Sequence, residues 1–121
     1  MTILDSNLII YSALPEYGYL RPLMMDSQNY TSIFSKIEVL GFHRLDEKSK
    51  RYFEGVFYSL EKLAITDEIF ENAILLRQQR KMSAGDAIIA STALHHDFTL
   101  YTRNIIDFDW IPNIRLFNPI V

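Results

Sequence analysis

Apolar and polar positions along this chain switch between two rhythms. Thr2-Ile3-Leu4 is a short apolar run cut off by Asp5-Ser6-Asn7, which reads as a strand and its exit. Leu8 to Leu14 is apolar enough for one or two helical turns, stopped before Pro15. Pro15, Gly18 and Pro22 punctuate an aromatic-rich stretch in which Leu20 to Met25 allows a short helix. Tyr30 to Phe34 is rich in β-formers and predicts a second strand, with Ser35 as N-cap of a helix from Lys36 to about Phe42. Residues 46–63 keep a helical rhythm, with Tyr52, Val56, Leu60 and Leu63 on one stripe. Ala64-Ile65 predicts a third, very short strand. Asp67 to Lys81 predicts an amphipathic helix, and Ser83 to His96 a helix of small and apolar residues. Thr99 to Thr102 and Ile114 to Phe117 predict further strands, separated by an acidic and aromatic loop containing Pro112.

Strands that alternate with helices define an α/β class with a mainly parallel sheet between helical layers. Ligands of such sheets bind beyond the carboxyl ends of the strands. That rule singles out Asp5, just past the first strand, and Asn104 and Asp107, just past the strand ending at Thr102. No repeat, low-complexity segment or linker interrupts the pattern, so residues 1–121 are expected to form one domain.

Composition narrows the picture only slightly. An apolar fraction of 49% and a charged fraction of 22% are ordinary for a soluble globular protein. No apolar run is long enough for a transmembrane helix, and the N-terminus meets an acid too early for a secretory signal. With no cysteine there is no disulfide framework and no thiolate zinc site. A cytoplasmic location follows as the simplest expectation. The net charge of −3 lacks the basic excess usual in nucleic-acid binders. If four of the 15 acids occupy one cation site, however, 11 remain against 12 Lys and Arg. The balance neither excludes a polyanionic substrate nor argues for one.

Each of those four acids has an ordinary explanation beside a chemical one. Asp5 or Asn7 suits the N-cap of the following helix. Glu38 shares a helical face with Phe34, Gly41 and Phe42, which suits an ion pair with an arginine, or an edge position whose stem packs while its head escapes to water, as well as a ligand role. Ser83-Ala-Gly-Asp86 fits a capping box, yet the row from Asp86 continues through Ile89, Ala90 and Ala93, which are core-like. Asp107 suits a plain loop, and Asp109 beside it shows that the loop carries acids. The adjacent His95 and His96 point about 100° apart on a helix and suit a solvated helix end. His43 reads as a surface residue.

Taken together, Leu4-Asp5-Ser6-Asn7, Ser35-Lys36-Ile37-Glu38, Gly85-Asp86-Ala87-Ile88-Ile89-Ala90 and Thr102-Arg103-Asn104-Ile-Ile-Asp107-Phe108 resemble the PIN-domain ribonucleases. The likeness is to the VapC-type toxins of bacterial toxin–antitoxin pairs, and it spans essentially the whole chain. It implies a three-layer PIN-like fold. It also implies that Asp5, Glu38 and Asp86 hold a metal ion or its waters, with Asp107 completing the shell and Asn104 or Asp109 as competitors for that fourth role. Asn7, Thr102 and Asn104 match the family's supporting polar residues. Ser6 stands where threonine is common.

The residue types suit such chemistry. Mg²⁺ and Mn²⁺ prefer oxygen ligands, and clustered carboxylates repel one another unless a cation relieves them. The resemblance implies hydrolysis of RNA that leaves a 5′-phosphate, a homodimer, and a cognate antitoxin docked near residues 15–60. Arg103 either meets a phosphate or makes an exposed ion pair. Two other readings compete: a catalytically silent PIN-like module that binds RNA or protein, and a carboxylate-site phosphatase. The phosphatase needs a partner lysine after a strand end, and no lysine stands in that position convincingly.

Overall fold

A computed structural model describes residues 1–121. Five strands make one sheet: β1 (Thr2–Leu4), β2 (Tyr30–Ser32), β3 (Glu61–Leu63), β4 (Thr99–Tyr101) and β5 (Arg115–Phe117). Their order is β3-β2-β1-β4-β5, and every pairing is parallel. The helices are α1 (Ser6–Ser12), α2 (Arg21–Met24), α3 (Ile33–Leu40), α4 (Glu47–Ser59), α5 (Asp67–Gln79), α6 (Ala84–His96) and α7 (Ile105–Phe108), with a 3₁₀ segment over Pro15–Leu20. No helix is long and apolar enough to cross a membrane.

Successive strand residues face opposite sides of the sheet, and the core divides accordingly. Leu4 packs with Leu8, Ile9, Met24, Val39 and Val56 on one side. Ile3 and Leu100 pack with Leu76, Ile89, Ala90 and Phe108 on the other. Helices α1–α4 therefore cover one face, and α5–α7 furnish the other. This is the three-layer α/β architecture expected from the alternation of elements.

Several boundaries differ from the sequence expectation, each for a local reason. The second strand ends at Ser32, not Phe34, because Ser32 Oγ accepts the Phe34 N–H at 3.1 Å and starts α3 there. Ser35, expected as the cap, is instead buried one turn into that helix. The helix expected over 46–63 stops at Ser59, where Leu60 turns extended (φ −76°, ψ 141°) yet stays in the core. The third strand is therefore Glu61–Leu63 rather than Ala64-Ile65. It lies at the sheet edge, where charged residues are tolerated and hide the strand signal. The loop expected after the fourth strand contains a one-turn helix, α7, anchored by fully buried Phe108.

β1 is central. The chain steps outward from it to β2 and β3, then returns to its other side as β4. The crevice beyond β1 and β4 is thus the topological switch point of the sheet.

A carboxylate cluster at the switch point

Asp5 directly follows β1. Its backbone N–H continues the ladder to the Tyr101 carbonyl at 3.0 Å, which fixes its place at the sheet's carboxyl edge. It occupies the N-cap position of α1, but its side chain makes no capping bond. The carboxylate accepts the Thr102 hydroxyl at 2.9 Å. Thr102 is fully buried at the end of β4, and its Oγ1 also accepts the Asn104 N–H at 3.0 Å. Asp5 is itself only 5% exposed. Burial is the first reason that its carboxyl is pushed up to about 6; the Asp86 and Glu38 charges add to the rise, while the Thr102 and Ser6 hydrogen bonds oppose it.

Glu38 comes from the penultimate turn of α3. It is exposed along its stem, and its head is fixed by Ser6: Ser6 Oγ stands 2.8 Å from Glu38 Oε1 and 2.8 Å from Ser35 Oγ. A hydroxyl has one proton and an ionised carboxylate only accepts, so Ser6 donates to Glu38 and Ser35 donates to Ser6. The space for the Glu38 head is made by Gly85. A methyl group at that position would overlap the carboxylate, with Glu38 Cδ only 3.1 Å away.

Asp86 lies in the first turn of α6. Ser83 caps that helix, its Oγ accepting the Asp86 N–H at 3.0 Å. The half of the capping-box reading that concerns Ser83 is therefore present. Asp86 is half-buried, and its row continues into fully covered Ala90 and Ala93. Burial first, then the Asp107 and Glu38 charges, hold its carboxyl above the usual range, with Ser83 pulling it down. Asp107 is exposed on α7. Its backbone carbonyl accepts the Trp110 indole N–H at 3.0 Å.

The structure thus brings Asp5, Glu38 and Asp86 into one electrostatic neighbourhood, with Asp107 joined to it through Asp86. None of the four makes an ion pair: the only two in the chain are His95–Glu68 and Arg115–Asp97. Of the two ordinary readings of Glu38, the ion pair with an arginine is absent, while the exposed edge position agrees with the structure. As they stand, no three acids converge tightly enough to chelate an ion. Asp107, exposed and with no hydrogen bond to its carboxylate, is the member of the four whose side chain is least tied down. The donor set is all oxygen, which suits Mg²⁺ or Mn²⁺. Asn7 is exposed at the start of α1 and Asn104 half-buried at the start of α7; neither side chain is tied down within the chain. Asp109 is exposed just past α7.

Sequence reasoning did not give Ser6, Ser35 and Gly85 their roles here. Ser35 was taken up by the capping assignment. Gly85 next to Asp86 was visible only as part of a motif, because the residue that needs its space lies 47 positions earlier (85 − 38). Arg103, the other candidate, makes no ion pair. It donates to the Tyr11 hydroxyl at 2.6 Å and lies 4.9 Å from that ring's centre.

An all-parallel sheet between helical layers, with unpaired carboxylates near its switch point, defines a three-layer α/β protein with an acidic crevice. Residues 2–109 match the PIN domain family, and the chain belongs to it. Solved structures agree on the fold. A chain of the toxin–antitoxin complex from Klebsiella pneumoniae superposes with a TM-score of 0.79 at 26% identity, covering 99% of this chain and 98% of that one. A chain of VapBC2 from Rickettsia felis, solved with a DNA fragment from its promoter, gives 0.76 at 22% identity, with 97% of each covered. A chain of FitAcB from Neisseria gonorrhoeae gives 0.76 at 22% identity, with 98% of each covered. The resemblance to VapC-type PIN domains drawn from the four motifs is met along the chain. A comparison with curated proteins gave no significant match.

Proposed function

We propose that this PIN domain is a nuclease that hydrolyses RNA phosphodiesters with a divalent cation, Mg²⁺ or Mn²⁺, and serves as the toxin of a toxin–antitoxin pair. One observation carries the reading. Carboxylates from four separate stretches of chain lie close enough near the sheet's switch point to feel one another's charge, one of them deeply buried, with no cationic side chain paired to any. A buried carboxylate without a countercharge is costly to ionise, so an external cation is the natural complement.

Asp5, Glu38 and Asp86 would hold the ion or its waters, and Asp107 would complete the shell. The bound cation supplies Lewis-acid polarisation of the phosphodiester and a water of lowered pKa. The chain's own residues do the rest. Thr102 orients the Asp5 carboxylate, and the Ser35–Ser6 relay orients Glu38. Asn7 and Asn104, free at the rim, can donate to phosphate or water. Gly85 keeps room for the Glu38 head.

The structural neighbours come from toxin–antitoxin complexes, which supports a protein partner that covers this site. A cavity of about 160 Å³ lined by Ile10, Val39, Phe42, Leu45 and Phe53 opens beside Glu38 and offers that partner an apolar foothold. A homodimer belongs to the same proposal. Exposed Phe70 and Ile74 share a face of α5, and light scattering measures the state.

The deciding test incubates purified protein with RNA in Mg²⁺ or Mn²⁺, beside EDTA controls and the variants Asp5→Asn and Asp86→Asn. Cleavage products should carry 5′-phosphates and should vanish with chelator and with either variant. Cleavage that survives both, or none from the wild type, rejects the reading and favours a silent binding module.

A further inference from the structure

Outside the four carboxylates, the cations on one side of the crevice are unexplained. A cavity of about 710 Å³ opens between the end of α5, the start of α6, and α7. Asp86 and Asp107 line it, so it is continuous with the carboxylate cluster. Arg77, Arg80 and Lys81 also line it, with Trp110 among the remaining wall residues.

The connection after α5 is what gathers those cations. Arg80 leaves the helix in an extended conformation (φ −156°, ψ 148°). Arg77 Nε donates back to the Met82 carbonyl at 3.0 Å, folding the connection against its own helix. The Arg80 guanidinium lies 5.1 Å from the centre of the Trp110 ring. All three cations are exposed, and neither ion pair in the chain involves them. Two carboxylates and three cations therefore line one groove with no ion pair between them. A polyanion that runs along the cations and ends at the carboxylates satisfies both sets.

We propose that this groove is the track for single-stranded RNA on one side of the scissile bond, with Arg80 and Lys81 bound to backbone phosphates and Trp110 stacked on a base. The proposal rests on the nuclease reading above and deepens it. Trp110 decides in favour of a single strand. An indole can stack only on an unpaired base, and the bases of a duplex are already stacked on each other. Its ring is oriented for this by the bond to the Asp107 carbonyl, which ties the stacking surface to the carboxylate cluster. Arg77 serves as a positioning residue, since its Nε is committed to holding the connection.

The test uses the full chain and a fluorescein-labelled single-stranded oligoribonucleotide in EDTA, so that binding is read without cleavage. Arg80→Gln/Lys81→Gln should weaken binding at least about tenfold. It should also flatten the dependence of log K on log salt by about 1.4, two contacts at roughly 0.7 each. Trp110→Leu should weaken single-strand binding and leave the salt slope unchanged. Lys48→Gln/Lys50→Gln removes the same charge from α4, on the opposite face of the sheet, and should leave affinity within about twofold. Trp110 is the only tryptophan, so its own fluorescence should be quenched by single-stranded but not by duplex RNA. With metal restored, the groove variants should raise KM and spare kcat.

Equal losses from the α4 control, or unchanged affinity in both groove variants, overturn the track. If Asp86-dependent cleavage persists in that case, the nuclease reading survives without it. If RNA binds in the groove but is never cut, the nuclease reading fails and the groove remains a binding site.

Discussion

Asp5 concentrates the tension of this site in one residue. Its carboxyl sits at about 6 against an ordinary 3.8, so the folded chain holds a proton across that interval that the unfolded chain has released. Ionisation therefore costs stability as pH rises through 4 to 6; the penalty is complete above 6 and absent below 3.8. A shift of about two units corresponds to roughly 3 kcal/mol. Asp5→Asn should accordingly abolish cleavage while raising the unfolding free energy in EDTA at neutral pH by about 1–3 kcal/mol. Urea unfolding from pH 4.5 to 7.5 checks the sign. The advantage of the variant should grow with pH, and a constant difference would show that Asp5 carries no buried penalty. Gly85 gives a second prediction. Gly85→Ala should fold normally, since alanine favours a helix and the displaced group is the end of a long side chain. It should nevertheless detach Glu38 from Ser6 and cut metal-dependent cleavage at least about tenfold. At this scale Asp5, Asp86 and Asp107 stood out beside strand exits and a helix start, whereas Glu38, late in its helix, joined them only through the resemblance. Their partners were not. Ser6 reaches Glu38 across 32 positions (38 − 6), and no local pattern records such a contact.

Among the elements, α6 sets the geometry of the site most directly. Its N-terminus presents Gly85 and Asp86, and its far end turns through Asp97 in the left-handed region (φ 57°) into β4. Ser83→Ala should cost about 1 kcal/mol by uncapping the helix, and Ser83→Thr should recover most of it. Thermal unfolding measures the stability, and cleavage should fall with it if the cap also steadies Asp86. The helix and its cap were readable because small apolar residues follow a capping sequence. β3 was not readable. Glu61 and Lys62 are polar, and the strand exists because β2 offers a partner, with Thr31 opposite Lys62 and Ser32 opposite Leu63. Tertiary pairing there overrides local preference. α7 was hidden for a similar reason: four residues are too few to show a period, and what fixes them is the packing of its own Phe108 into a core built from other segments.

For the whole molecule, the proposed cation would compete with a proton at Asp5. Saturating Mg²⁺ at about a hundred times its Kd should stabilise the fold by roughly 2.7 kcal/mol. The rise in Tm should be larger at pH 7.5 than at pH 5, because Asp5 binds its proton near 6. Glu38→Gln should shrink the rise at both pH values. No change in Tm with either Mg²⁺ or Mn²⁺ would sink the metal assignment independently of any activity assay. The fold class was legible at this scale because strand and helix alternate in the sequence, and an all-parallel sheet follows from that order. The cationic groove was not. Arg77, Arg80 and Lys81 look like an ordinary solvated helix end until α7 is placed across from them.

The sheet order also imposes a timetable. β1 precedes the other strands, but it pairs with β4, so Asp5 meets a Thr102 that lies 97 positions later in the chain. A nascent chain that has emerged through β3 can bring Ser6 and Glu38 together, yet it lacks α6 and β4, and with them Asp86, Asp107 and the clamp on Asp5. The cluster cannot close while those segments are still inside the ribosome. The order of strands thus delays the cluster during synthesis: it stays incomplete until residues through Asp107 are free.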